Sequence, residues 1–427
     1  MKRKFYSFPV ENVQETKLQM LNWANRFNIC CFLDNQHYDL PHHSVECLVG
    51  AGVLNKFEPV VEFFTGLSSF IANSNDWIFG HFNYDCKNNI EELTSANPDH
   101  IGFPNAFLFV PEVVLQLSAS SLLIGTINED AAVIYKEIVE QIEVDTALPP
   151  VLLKSRIHYN DYISIIHQLK EHIKRGDCYE INFCQEFYNE KVDVDFVQVY
   201  KNLRKVSPNP FSAYYKIGEK HLACASPERY IKKTGSRIIS QPIKGTAARN
   251  FSDPKLDELN KEMLRQTQKE VSENVMIVDL VRNDLSKVCE EGSVKVEELM
   301  KVYTFPNVHQ MISTIAGTLP ENIGLAEVLK ATFPMGSMTG APKIRVMQLI
   351  EEFEKTKRGI YSGAVGYINP AKDFDFNVVI RSIMYNQQNQ YISYQVGGGI
   401  TIESDPQKEY EECQLKADAI LQVLSPK

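Results

Sequence analysis

At Val144-Asp145-Thr146-Ala147-Leu148-Pro149-Pro150 the chain loses all periodicity and closes the stretch with consecutive prolines. Proline fixes φ and carries no N–H, so neither a helix interior nor a central strand runs through this stretch. The break divides the sequence into an N-terminal region, 1–150, and a second region, 151–427. Before it, short β-like runs at 105–110 and 121–125 mix with a helix expected at 130–142. After it every segment is well patterned, and nearly all the interpretable chemistry lies there. No internal repeat and no low-complexity tract interrupts either region.

The chain of 427 residues is 44% hydrophobic and 23% charged, enough apolar material for a large core. Its net charge is −10, which argues against a nucleic-acid partner or an anionic membrane surface. A site for an anionic substrate must therefore build positive charge locally. Nine cysteines are scattered without Cys-x-x-Cys spacing or a Cys/His cluster, so free thiols in a reducing cytosol are expected rather than zinc. The basic N-terminus has no apolar run behind it, as a secretory signal requires. No stretch approaches the ~18 consecutive apolar residues of a membrane span, so a cytoplasmic protein is expected.

Two helices carry acids. The first is expected over 257–282, with Leu259, Met263, Leu264, Val271, Val275 and Met276 on its apolar face and Glu270, Glu273 and Asn274 together elsewhere on its surface. The second starts at Ser404 or Asp405 as cap with Pro406 in its first turn. Tyr410, Cys413, Ala417, Ile420, Leu421 and Leu424 form its stripe, and Glu409, Glu412 and Lys416 share another face. Solvated faces explain both acidic pairs by spacing alone. The spacing equally permits carboxylates from two helices to meet at one hard cation such as magnesium, which takes one or two protein carboxylates plus substrate oxygen.

Lys244 stands in Gln241-Pro242-Ile243-Lys244-Gly245-Thr246, between a proline that fixes one backbone angle and a glycine that permits unusual ones, so a shaped turn is expected. Gly397-Gly398-Gly399 follows a strand-like run at 391–396; three glycines imply close approach to that backbone, as a bulge, a tight turn or an anion cradle. The stretch from Phe333 to Lys343 lacks the Gly-x-x-x-x-Gly-Lys-Ser/Thr spacing of a nucleotide loop. It reads instead as a loop that closes over a site and leads into a helix at 343–353. Arg381 ends an apolar run and calls for a carboxylate gripped in two places, either a ligand's or that of Asp375. His309 lies on a strand with Met311 and Ser313 on its face, a pattern shared by core histidines and catalysts.

Taken in order, these segments resemble the chorismate-utilising enzyme family, and within it the aminodeoxychorismate synthase component I branch. The match runs from about residue 155 to 424. It rests on Gly176-Asp177-Cys178-Tyr179-Glu180-Ile181-Asn182-Phe183, Ala225-Ser226-Pro227-Glu228-Arg229-Tyr230, Pro242-Ile243-Lys244-Gly245-Thr246 and the run from Glu273 to Asp284. It continues through Gly336 to Lys343, Tyr361-Ser362-Gly363-Ala364-Val365-Gly366-Tyr367, Asp375 to Arg381, the triple glycine and Glu409-Tyr410-Glu411-Glu412. The resemblance implies one α+β unit of the anthranilate synthase component I type, with large antiparallel sheets packed together, helices outside and the site between.

It also implies roles. Glu273 and Glu412 match magnesium ligands, with Glu270 and Glu409 as further acids of that cluster. Glu228 matches the acid that protonates the departing 4-hydroxyl. Tyr361, Arg381, Gly397, Gly398, Gly399, Gly245 and Thr246 match substrate-holding positions, and His309 and Thr339 match residues lining the ring. Lys244 matches the nucleophile of the aminating branch that makes 4-amino-4-deoxychorismate for folate; anthranilate and isochorismate synthases usually carry alanine there. Its amine must be unprotonated to attack, which a desolvated or cationic pocket promotes.

One position departs from the pattern. Glu180 replaces the usual glutamine of amine-adding members and is not the lysine of water-adding ones. Three readings stay open for this carboxylate: turned away, kept protonated, or altered chemistry. No cysteine sits in Gly-x-Cys-x-Gly, so a separate glutamine amidotransferase subunit is expected to supply ammonia. The tryptophan-feedback sequence Leu-Leu-Glu-Ser is absent. The rival readings are an anthranilate synthase component I and a non-catalytic chorismate-binding homologue.

Overall fold

The computed structural model describes residues 2–38, 42, 45–58, 62–142, 145–305 and 308–425. Two antiparallel sheets carry the fold. The larger has twelve strands among the described residues. Its path runs Lys4–Pro9, Ser121–Thr126, Val113–Leu117, Cys47–Ala51, Ile29–Asp34, Phe211–Ile217, Lys220–Ser226, Ser382–Asn386, Tyr391–Ile400, Glu180–Asn189 and Gly340–Ala341, with Lys154–Ser155 beside Glu180–Asn189. The second has ten, in the order Ile243–Ala248, Val308–Thr318, Arg237–Gln241, Arg229–Thr234, Phe374–Asn377, Ala364–Ile368, Ile78–Phe82, Ala106–Val110 and Asn55–Phe57, with Lys295–Thr304 on Val308–Thr318. Both sheets draw strands from either side of Pro149-Pro150. Ile29–Asp34 pairs with Phe211–Ile217, and Ile78–Phe82 pairs with Ala364–Ile368.

Strand alternation builds two cores. Cys30 and Phe32 face one while Cys31 faces the other; Tyr214 faces one while Ala213 and Tyr215 face the other. One face of the larger sheet packs under the helices Val13–Asn25, Ala131–Val139, Tyr159–Lys174, Phe196–Val206 and Pro406–Leu424. Its other face meets the second sheet through Leu222, Cys224 and Met384 against Phe79, Ile231 and Phe376. Each such fully buried side chain stabilises the fold by roughly 1.5–3 kcal/mol.

The strands expected near 105–110 and 121–125 and the helix over 343–353 form as Ala106–Val110, Ser121–Thr126 and Lys343–Phe353. The C-terminal helix, Pro406–Leu424, is capped by Asp405, whose side chain accepts from the N–H groups of Gln407 and Lys408. The helix expected over 257–282 is two helices, Pro254–Gln266 and Gln268–Ser286. They part at Thr267, whose ψ of 112° is not helical. Its expected apolar face is also corrected: Leu259, Met263 and Val275 are exposed, and Glu273, Asn274, Ile277, Val278, Val281 and Leu285 are buried. Two polar residues lead the buried face, so hydrophobic periodicity alone selects the wrong register.

Candidate active site

The chain passes from the larger sheet to the second at Pro227-Glu228 and returns over 378–381. The two passes lie side by side, with the Val378 N–H donating to Glu228 O at 3.0 Å and the Ala225 N–H to Arg381 O at 3.2 Å. Arg381 makes this return with φ 50°, a left-handed conformation that costs a side-chain-bearing residue on the order of 1–3 kcal/mol. No described carboxylate grips its guanidinium. Asp375, the alternative partner, binds Arg229 at 2.9 Å and lies 3.6 Å from Lys232 instead. Burial lowers the Arg381 pKa, against the raising influence of Tyr38 and Glu228.

Glu228 is buried at the first pass. Its Oε1 accepts from Ser337 Oγ at 2.6 Å. Burial pushes its pKa up to about 7, opposed by the Ser337 hydroxyl, Lys244, the Ile243 N–H and Arg381. It is a carboxyl able to hold a proton near neutrality, between an amine and an arginine. Ser337 has no signal in the sequence that would assign it to this partner.

Lys244 lies on the edge strand Ile243–Ala248 rather than in the expected turn. The strand's register against Val308–Thr318 shifts between Ile243 and Thr246, and Gly245 takes φ 87° in this bulge; Thr246 is exposed. The lysine spans from the second sheet to the end of the larger one. Its Nζ lies 2.9 Å from Glu180 Oε1 and 3.4 Å from Glu273 Oε2. Burial alone would lower its pKa, but these two carboxylates prevail and hold it well above the ordinary lysine value. The amine is therefore an ammonium in an anionic pocket, not the neutral amine of a cationic one. Of the readings open for Glu180, the turned-away carboxylate is excluded, since its side chain faces Lys244.

The triple glycine is neither turn nor bulge. It is the end of the strand Tyr391–Ile400, with Gly397, Gly398 and Gly399 opposite Cys184, Phe183 and Asn182. A Cβ on Gly399 would sit 2.4 Å from Glu180 Oε1 and 3.1 Å from Lys244 Nζ. One on Gly398 would sit 3.3 Å from Glu409 Oε2 and 3.7 Å from Glu412 Oε1, and one on Gly245 would sit 3.1 Å from Glu270 Oε2. Acids from both helices thus reach two neighbouring glycine segments. Glu409 and Glu273 are buried, not on solvated faces. Glu412 pairs with Lys416 at 2.8 Å, and Lys416 donates to Gly397 O at 3.0 Å. Among the described residues no three acids converge tightly enough to cage an ion alone. The donor chemistry fits magnesium sharing its ligands with a bound substrate.

Tyr361 is buried with its hydroxyl 3.7 Å from Cys184 Sγ, beside Gly397. Thr339 is buried and donates to Met335 O at 3.0 Å. Beneath them Arg358, paired with Glu354 at 2.6 Å, donates to Met338 O at 2.6 Å and Asn182 O at 2.7 Å, pinning the 336–339 segment to the Glu180–Asn189 strand. His309 is buried with both ring nitrogens engaged, at 3.0 Å from Thr304 Oγ1 and 3.0 Å from Asp257 Oδ1.

Two packed antiparallel sheets with helices outside define an α+β chain of the anthranilate synthase component I fold. The anthranilate synthase component I of Streptococcus pneumoniae TIGR4 shares it, with a TM-score of 0.77 and 26% identity over 90% of this chain and 94% of that one. The chain belongs to the chorismate binding enzyme family, whose model matches residues 49–422. It is 41% identical over 62% of its length to a probable chloroplastic aminodeoxychorismate synthase of Oryza sativa subsp. japonica, of which it spans 30%. It is also 34% identical to the aminodeoxychorismate synthase component 1 of Salmonella typhimurium, over 81% of this chain and 76% of that protein. Among the described residues no helix is long and apolar enough to cross a membrane, and all nine cysteines are free.

Proposed function

We propose that the chain is the aminating component of an aminodeoxychorismate synthase, converting chorismate and ammonia to 4-amino-4-deoxychorismate and water. The observation that carries this reading is Lys244 Nζ, held at the junction of the two sheets within the electrostatic reach of Glu228. A lysine so placed serves as nucleophile, where a mere binder of chorismate has no use for one.

Lys244 first loses its proton, and Glu180 at 2.9 Å is the carboxylate within transfer distance. The amine then attacks C2 of the ring, the two ring double bonds shift, and the C4–O bond breaks. Glu228 gives its proton to the departing oxygen, which leaves as water. Ammonia next bonds to C4, the double bonds shift back and the C2–Nζ bond breaks. Glu228 recovers a proton from the incoming nitrogen, and Lys244 recovers its own. Arg381 holds a substrate carboxylate, its fork unclaimed by any described acid. Magnesium, held by Glu273 and Glu412 with Glu270 and Glu409 nearby, would neutralise the ring carboxylate. A glutaminase subunit is the expected source of ammonia.

The test is turnover of chorismate with magnesium and ammonium salt by this chain alone, with product identification. 4-Amino-4-deoxychorismate is expected; anthranilate with pyruvate would assign the chain to the other amine-adding branch. No turnover would make it a binding protein.

A further inference from the structure

Beside Glu228 lies a cavity that Lys244 does not line and that the substrate reading does not use. Glu228, Ser240, Val281, Asp284, Thr332 and Ser337 line it. It offers about 20 Å³ to the centre of a water-sized molecule, above the ~10–15 Å³ that one water needs. A ring with two carboxylates cannot enter it. Its inner wall is the carboxyl that serves C4. The buried carboxylate of Asp284 also lines the cavity, bound to Lys343 and, at 2.8 Å, to the half-exposed Lys287.

The wall chemistry selects a small hydrogen-bond donor. Ser240 Oγ donates to Tyr230 O at 2.7 Å, Thr332 Oγ1 to Val328 O at 2.8 Å and Ser337 Oγ to Glu228 Oε1 at 2.6 Å. With those protons committed, the hydroxyl oxygens can only accept, and that of Thr332 already accepts from the Tyr230 hydroxyl at 2.6 Å. Ammonia carries three N–H donors and matches them. Cations are not matched, since Asp284 already holds two lysines and Glu228, the other acid of the lining, is pushed toward its neutral form.

We propose that this cavity is the entry site for ammonia, delivering it to C4 past Glu228 while the ring remains bonded to Lys244. The inference rests on the reading of the chain as an aminating enzyme. The nitrogen then bonds to C4 as the C2–Nζ bond breaks, and its surplus proton goes to the Glu228 carboxylate, which had protonated the departing oxygen.

Val281→Phe and Ser240→Val each fill the cavity without replacing a residue assigned to substrate or to proton transfer. Both are to be checked for wild-type near-ultraviolet circular dichroism and chorismate affinity. The expected result is an ammonia KM raised about tenfold or more and a Lys244–ring adduct that accumulates because only its second half-reaction is slowed. Folded variants with a wild-type ammonia KM and no accumulated adduct overturn the proposal. A measurement on the wild type guards against variants that do not fold: methylamine should fail to release the adduct that ammonia releases, and equal rates for the two amines also overturn it. If the wild type forms no 4-amino product from ammonia at all, the functional reading fails instead.

Discussion

Glu228 and Lys244 are both driven toward their protonated forms, for different reasons. Burial disfavours the Glu228 carboxylate, whereas two carboxylates favour the Lys244 ammonium. For Glu228 the folded pKa, about 7, exceeds the ordinary 4.5, so the folded state keeps a proton that the unfolded chain loses between them. Stability must then fall as pH rises through that window, and the Glu228 contribution is fully present only below it. Glu228→Gln is expected to flatten the thermal midpoint between pH 4.5 and 8 relative to wild type. An unchanged slope would mean that the buried group is already ionised. Lys244→Ala should abolish the covalent adduct seen by mass spectrometry. It also strips the shared cation from two buried carboxylates, which costs on the order of 3–5 kcal/mol when such a partner is removed. Adding Glu180→Gln should recover part of that loss. A single variant as stable as wild type would show that the ion pairs contribute nothing. Glu180 stood out in the sequence as a departure, but its distance to Lys244 depends on two sheets meeting and no spacing encodes that.

Elements differ in how far their pattern could be read. The C-terminal helix was legible because Asp405 and Pro406 mark its start and its stripe faces a core. The helix pair around Thr267 was not, since the buried face of Gln268–Ser286 begins with Glu273 and Asn274, and leaves Val275 in solvent. The triple glycine announced a close approach without saying to what. In the strand Tyr391–Ile400 the answer differs from one glycine to another, and so should the consequences of adding a methyl group. At Gly397 a Cβ would meet the Phe183 carbonyl oxygen at 2.2 Å, a backbone atom that cannot step aside. Gly397→Ala is therefore expected to destabilise the protein by roughly 1–3 kcal/mol in denaturant melts. At Gly399 the obstacle is the end of the Glu180 side chain, 2.4 Å away, with Lys244 beyond it. Gly399→Ala should keep the fold and lose turnover. Equal losses of stability at the two positions would contradict this difference between a backbone obstacle and a side-chain one.

At the scale of the molecule, the Pro149-Pro150 break was legible but the sharing of both sheets across it was not, because strand partners such as Ile29–Asp34 and Phe211–Ile217 lie far apart in sequence. That sharing places the acids on different bodies. Glu270 and Glu273 ride on Gln268–Ser286, packed with the second sheet, while Glu409 and Glu412 ride on Pro406–Leu424, packed on the larger one. A magnesium ion held between them would tie the two layers together and should stabilise the whole fold rather than one helix. Ligand linkage sets the scale, about 2.7 kcal/mol at a hundredfold excess over Kd. The thermal midpoint is therefore expected to rise with magnesium in the presence of a chorismate analogue. Glu273→Gln and Glu412→Gln should each shrink that rise, because each removes a ligand from a different layer. A site confined to one helix would respond to only one of the two substitutions. Full activity and an unchanged midpoint in excess chelator would remove the metal from the mechanism altogether, leaving Arg381 as the cation that holds a substrate carboxylate.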